Sequence, residues 1–464
     1  MKNLQVLYTL LFGVAVVLFF GMAYPHHLHH QEQFQLFLFD SNYVWDIVNQ
    51  PGGVADLLGR FCTQFFLYAW VGAVIIGVLL SSVQLLMCRV ARWGWLYGLS
   101  YVPSFLLWLF LLDENALMSG VWAVLITLLV AWGLFRLPRG WKQYAAIVVA
   151  IPVLYWLVGP VSLPLPFSEL WHGVHYYRYP AEFPVILWSA ALSVFMLVLM
   201  VRIFHKWTNT LKKPIVTLIS FAVVAVVMGN VVWKNSNFKA EKVMQYDFMA
   251  RYQQWNRIIE TINKEKPNNQ IGVTVQNLAL GMHGLLAEHL FAYNQNGITG
   301  LLPDVGTDAI SPLPTAEAFY QLGMITVAQR TVFEAQEAIL DFQKSGRCYK
   351  RLAQTNLILG NYEVARKYLL ALQKTLFYRD WATKTLPLLG DEKAIAKHPE
   401  YGRLRQMTYK ENFFFGDHVG ADMLRKLLSA NPENRLAFEY LKAYYILTGD
   451  RDNYTKLLLH SIKQ

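Results

Sequence analysis

The chain has 464 residues, 55% of them hydrophobic and 16% charged, with a formal net charge of +10. So little charge, with the apolar residues gathered in long runs, indicates a membrane protein rather than a soluble globular domain. The positive balance does not mark a nucleic-acid partner. Up to Asn237 the bases mostly flank apolar runs, and beyond it acids and bases interleave, with no basic stripe carrying aromatics.

Apolar runs recur at Val6–Ala23, Phe61–Met87, Trp95–Leu112, Ala116–Leu137, Tyr144–Val161, Pro184–Phe204 and Ile215–Trp233. Each approaches the ~20 residues that a helix needs to cross the hydrocarbon core. The fold class is therefore all-α: about seven transmembrane helices in a domain over 1–237, then a soluble helical domain over 238–464. The first run follows Lys2, is long for a signal-peptide core and has no small-x-small cleavage pattern before the histidines. It reads as an uncleaved first span.

The bases Lys2, Arg89, Arg92, Arg136, Arg139 and Lys142, with those at 202–213, fall in one alternating set of connections. That side is cytoplasmic by the positive-inside rule. The N-terminus then lies inside, the stretch 24–60 forms an outward loop and the C-terminal domain is outside. Cys62 and Cys88 fall near opposite ends of the second run. On one helix they would be ~40 Å apart at 1.5 Å per residue, too far to pair. Cys348 stands alone, and no Cys-x-x-Cys marks a zinc or redox site.

The outward loop gathers His26, His27, His29 and His30 with Glu32, Asp40, Asp46 and Asp56. Polar and apolar residues alternate from Gln33 before Leu36–Phe39 turns wholly apolar, so this segment is expected at the membrane surface, presenting Asp40 at a helix end. A carboxylate there suits a general base or a divalent cation held against a phosphate. The competing reading of Asp40 is a helix cap, because Asp-Ser-Asn is cap chemistry. Asp46 and Asp56 read as solvated or capping acids. A second outward loop, 160–184, carries His172 and His175 at i, i+3, then Arg178 and Glu182 among tyrosines. Arg178 is suited to a bidentate grip on phosphate or carboxylate, or to pairing with Glu182. His-x-x-His alone is a weak ligand pattern, and no metal is assigned. No phosphate-binding loop, dinucleotide fingerprint or Gly-x-Ser-x-Gly elbow is present, so no cofactor is named. No charged pair lies mid-span, which argues against a pump or channel.

Beyond Asn237, Asp247–Lys266 is predicted as one amphipathic helix, with Tyr252, Trp255, Ile258, Ile259 and Ile262 on one face and Pro267 as its stop. A helical run over Asn277–Tyr293 follows. The Gly/Pro/Asp-rich loop Asn294–Pro314 is long enough to be functional or mobile rather than a mere connector. Leu352–Leu369 then resembles a tetratricopeptide repeat, with Gly360 at the turn, Tyr362 packing between the helices and Ala365 allowing their approach. Weaker echoes start at Phe319 and Ala437. About four stacked helix pairs are expected, since one repeat cannot bury its face alone. A plain helical bundle is the alternative.

The runs Glu32–Phe39, Gln50–Phe66, Asn356–Tyr362 and Thr375–Ala382 resemble a Bacteroidota family of multi-spanning membrane proteins with a C-terminal tetratricopeptide-like domain. The resemblance implies a bacterial inner-membrane protein with a periplasmic C-terminal domain. The layout also resembles, more loosely, the GT-C membrane glycosyltransferases, which have an acid in a long first outward loop. That likeness implies glycosyl transfer from a polyprenyl-phosphate-linked sugar, with Asp40 and Glu32 as catalytic acids. Arg178, Glu182, His172 and His175 would bind substrate, and the repeats would bind an acceptor or partner protein. The first loop lacks the tight Asp-x-Asp or Asp-Glu pair of that class. The alternative is a non-enzymatic scaffold whose spans only anchor its repeats.

Overall fold

Helices carry all the regular structure of the described residues, which in this computed structural model are 2–90, 93–138, 140–159, 185–203, 214–304, 306, 311–339, 343–409 and 420–461. The chain divides into two units, Met1–Glu241 and Lys242–Gln464.

In the first unit α1 (Lys2–Leu18) runs on as a π-helical turn, Phe19–Ala23. Three short helices follow: α2 (Pro25–Gln31), α3 (Ser41–Val48) and α4 (Gly53–Thr63). Pro25 opens α2 at a position where its missing N–H costs nothing. Next come α5 (Ala69–Val90) and a 3-10 segment, Gly94–Tyr101, leading into α6 (Val102–Phe110). The unit continues with α7 (Met118–Arg136), α8 (Trp141–Val158), α9 (Val185–Ile203) and α10 (Pro214–Asn235).

Five stretches, Leu4–Ala23, Ala69–Val90, Met118–Arg136, Trp141–Val158 and Pro214–Asn235, are long and apolar enough to cross a membrane. They mark a membrane protein. The apolar stretches Leu96–Phe110 and Val185–Val201 are shorter. The second predicted run, Phe61–Met87, is not one helix. The chain leaves α4 through a 3-10 turn, Gln64–Leu67, and an extended Tyr68 (φ −115°, ψ 98°) before α5 begins. Cys62 and Cys88 therefore sit on different helices, each as a free thiol.

Helix α1 packs along α5. A Cβ on Gly77 would lie 3.1 Å from the Gly13 carbonyl oxygen, so the crossing needs its small residues. Beside it Thr9 and Gln84 are hydrogen-bonded at 2.8 Å, and Gln84 Nε2 donates to Ser100 Oγ at 3.2 Å. The Tyr97 and Tyr101 hydroxyls meet at 3.0 Å. Such polar contacts join helices where lipid supplies no hydrophobic drive.

The second unit takes up α11 (Phe238–Arg251), whose first turn still belongs to the first unit. It continues with α12 (Trp255–Glu265), α13 (Gln270–Met282), α14 (Pro312–Leu322) and α15 (Ile325–Glu337). Helices α16 (Gly346–Leu359), α17 (Tyr362–Gln373), α18 (Arg379–Thr385), α19 (Glu392–Lys397) and α20 (Tyr401–Met407) follow. The last three are α21 (Ala421–Ala430), α22 (Arg435–Thr448) and α23 (Arg451–Ser461).

The predicted helix Asp247–Lys266 is two helices. Gln253 takes a left-handed φ of 53°, and the Gln254 N–H closes back onto Met249 O at 2.9 Å, ending α11. Ile258 and Ile262 of α12 are fully buried. The next helix begins at Gln270 rather than Asn277, because the Asn269 side chain accepts the Gly272 N–H at 2.8 Å and caps it there. Of the long loop, the part from Asn294 to Gly300 is stapled down: Asn277 donates to Gly300 O at 2.9 Å and Gln276 to Asn294 O at 3.0 Å.

Three helix-to-helix turns share one closure, which also follows α13 at Gly284 (φ 70°, Leu285 N–H to Leu280 O, 2.9 Å). Gly323, Gly360 and Gly449 have φ of 91°, 84° and 69°. The next N–H in each returns to the carbonyl five residues back, Met324 to Phe319 (2.9 Å), Asn361 to Asn356 (2.8 Å) and Asp450 to Tyr445 (3.0 Å). This left-handed C-cap favours glycine and reverses the chain into the next helix. The pairs α14/α15 and α16/α17 pack along each other, with Ala328 and Ala365 fully buried between them.

Candidate functional site

The stretch 24–60 is three short helices and an extended connector, not an open loop. Its anchor is a carboxylate that the sequence reading did not single out. Glu241 accepts the N–H groups of His26 (2.7 Å) and His27 (2.8 Å), filling the donor end of α2. Burial pushes the Glu241 carboxyl up to about 7, against the pull of those two N–H groups. His27 is fully buried, and its Nε2 donates to Leu111 O at 2.9 Å. Burial, aided by His30, drives its imidazole down to about 3, so it is neutral at physiological pH. Gln31 donates to Asp113 O (3.2 Å) and Ala116 O (3.3 Å).

Glu32 opens a 3-10 turn, Glu32–Phe34, with 4% of its surface exposed. The predicted surface segment is mostly interior: Phe34, Leu36 and Phe37 are buried, while Phe39 is exposed. Two hydrogen bonds tie it inward, from Thr63 Oγ1 to Gln35 Oε1 (3.0 Å) and from the Tyr43 hydroxyl to Leu36 O (2.8 Å).

Asp40 does the work of a helix cap. Its Oδ1 accepts from Asn42 N (3.1 Å) and Tyr43 N (3.3 Å) at the start of α3. Asp56 pairs with Arg60 one turn on, at 2.6 and 2.9 Å, and Asp46 is exposed on α3. Glu32 and Asp40 are held on separate elements, at the end of α2 and the start of α3. His172, His175, Arg178 and Glu182 lie outside the described residues. Among the described residues no group of three or more His, Cys, Asp or Glu side chains is arranged to hold a metal ion.

The second unit holds an ionic cluster of its own. Arg347 grips Asp247 through both terminal nitrogens, at 2.5 and 2.8 Å, and stands 3.8 Å from Glu317. Arg351 bonds Glu317 and lies 3.7 Å over the Tyr320 ring, and the Tyr320 hydroxyl donates to Glu400 at 2.9 Å. The Lys350 ammonium sits 5.1 Å from the Trp381 ring. Burial, helped by Arg251 and Arg351, pushes it down to about 8. Lys350, Arg351, Trp381 and Glu400 are each partly exposed, so the cluster has an open side. The sequence reading missed it, yet a local signal exists: three bases at i, i+3 and i+4 open a helix whose dipole disfavours cations there. Such bases require carboxylates from elsewhere.

The chain belongs to a family of unknown function, DUF6057, whose family model matches residues 2–463. No curated protein and no solved structure matches it.

Proposed function

We propose that this is a membrane-anchored docking protein of the bacterial inner membrane. Its first unit spans the bilayer about seven times, and its second is a periplasmic, tetratricopeptide-like helical array that binds a protein partner. The observation that carries this reading is where the carboxylates are used. In 24–60, Asp40 caps α3 and Asp56 holds Arg60. The second unit has a partly exposed group of charges and an aromatic ring at Lys350, Arg351, Trp381 and Glu400. The repeated glycine closures at Gly323, Gly360 and Gly449 support the array. A photo-crosslinking residue at Trp381, with one at the exposed Val364 as control, tests it in cells. Discrete adducts with an envelope protein from position 381 alone are expected. Absent adducts, or the same adducts from both positions, would remove the reading.

A second reading is glycosyl transfer from a polyprenyl-phosphate-linked sugar. One observation favours it: Glu32 is a carboxylate buried near the membrane-spanning helices, a costly placement that functional sites exploit. Loss of sugar transfer in membranes carrying Glu32→Gln, with unchanged melting, is the outcome it requires. Equal transfer by wild type and variant discards it.

A further inference from the structure

We infer that a cleft of the second unit, between the turn from α11 into α12 and the end of α13, binds a saccharide. The inference goes beyond the docking reading and shares no residue with it.

The cleft has a volume of about 440 Å³ and is lined by Gln253, Gln254, Trp255, Asn256, Arg257 and His283. That volume falls in the range of small-ligand sites, about 300–1,000 Å³. Two parts of the chain build its walls. Gln253 and Gln254 form the turn after α11, and Trp255, Asn256 and Arg257 open α12. His283 follows α13, its N–H returning to Ala279 O (3.3 Å) and Leu280 O (3.2 Å). Trp255 is half-buried against the core of this unit, which holds its indole in place. Gln253, Asn256 and His283 are exposed, so their polar atoms are open to a ligand.

The lining chemistry selects the ligand class. It comprises three primary amides, an imidazole, a guanidinium and an indole, with no carboxylate and no aliphatic side chain. A metal cation finds no anionic ligand there, and a hydrocarbon would cover the amides without bonding them. Arg257 is the one guanidinium, and its Nη1 already donates to Gln254 Oε1 at 3.3 Å, a poor match for a multiply charged anion. Each amide sets a donor beside an acceptor, as neighbouring hydroxyls of a sugar ring do. The indole adds a flat apolar face for the C–H side of that ring. Gln253 supports the same reading from the backbone. Its φ of 53° is left-handed, where glycine would fit without strain, yet the position carries an amide that lines the cleft.

The test uses the full-length chain in a detergent without a sugar headgroup. It is titrated into fluorescein-labelled chitotetraose and, separately, maltotetraose, with binding read by anisotropy. At least one should bind with a Kd below about 1 mM, and its unlabelled form should displace it. Trp255→Leu should weaken that binding about tenfold by removing the flat face. Because Trp255 also packs on the core, Gln253→Gly supplies a variant that keeps the fold. Glycine accepts the left-handed turn, so melting should be little changed, while loss of the amide weakens binding about threefold.

No binding of either tetrasaccharide up to about 1 mM would overturn the inference, as would undiminished binding in either variant. Displacement by inorganic phosphate as strong as by the unlabelled sugar would overturn it too, because the cleft would then be an anion site. The adducts expected at position 381 do not depend on this cleft, so the docking reading stands or falls separately.

Discussion

Asp40 shows how one residue discriminates between roles. As a cap it is interchangeable with asparagine, which accepts the same N–H groups, but not with alanine. Asp40→Asn should leave thermal unfolding unchanged, whereas Asp40→Ala should cost about 1 kcal/mol. A catalytic base would differ in activity rather than stability, with Asn silencing any activity while unfolding stays unchanged. His27 and Glu241, which meet at the start of α2, respond to pH in opposite senses. The buried imidazole is held at about 3, against 6.5 when exposed, so its contribution is complete above pH 6.5 and is lost as pH falls toward 3. Glu241 is held at about 7, against 4.5, so its contribution is complete below pH 4.5 and is lost as pH rises through 7. Melting of the full chain in detergent should therefore weaken at both ends of the range. Glu241→Gln should flatten the alkaline limb, worth on the order of 3 kcal/mol, and leave the acid limb, while His27→Gln should do the reverse. An unaltered pH profile in both variants would show that neither group titrates as its burial implies.

At the scale of elements, what could be read in advance depended on whether the signal was local. Long apolar runs announce helices, and Gly323, Gly360 and Gly449 announce the turns that need positive φ. The breaks at Gln64–Tyr68 and at Gln253 contain neither glycine nor proline, so nothing in composition marks them. They arise where the flanking helices must pack in different directions, which is tertiary information. Close approaches are equally hidden. Gly59 on α4 lies so near α7 that a Cβ would stand 2.5 Å from Ser119 N and 3.0 Å from Ser119 Cα. Backbone cannot step aside as a side chain does, so Gly59→Ala should destabilise the first unit by about 1–3 kcal/mol despite alanine's better helix propensity. The analogous change at Gly133, whose Cβ would meet nothing within 4 Å, should be neutral or slightly stabilising. Melting curves of the two variants in the same detergent make the comparison. Equal shifts would mean that the α4–α7 contact is looser than it stands here.

Across the whole molecule, charge placement separates what was legible from what was not. The membrane half is readable because each helix satisfies its own backbone, and apolar length alone gives its presence. The ionic sites are not, because their partners are far apart in sequence: His27 and Glu241 lie 214 residues apart, and Asp247 and Arg347 lie 100 apart. The latter pair ties α11 to α16 with side chains only 10% and 6% exposed. A buried pair of this kind adds little over a well-packed apolar pair, but removing one partner strands the other charge. Asp247→Asn should therefore destabilise the second unit by about 3–5 kcal/mol, whereas Asp247→Leu combined with Arg347→Met should restore most of it. The two units need not unfold together, so a single melting midpoint does not report the change. Hydrogen exchange along α16 in the full-length chain does: protection should collapse in the single variant and return in the double. If the double variant is as unprotected as the single, the pair holds this unit's structure by its charges rather than by filling space.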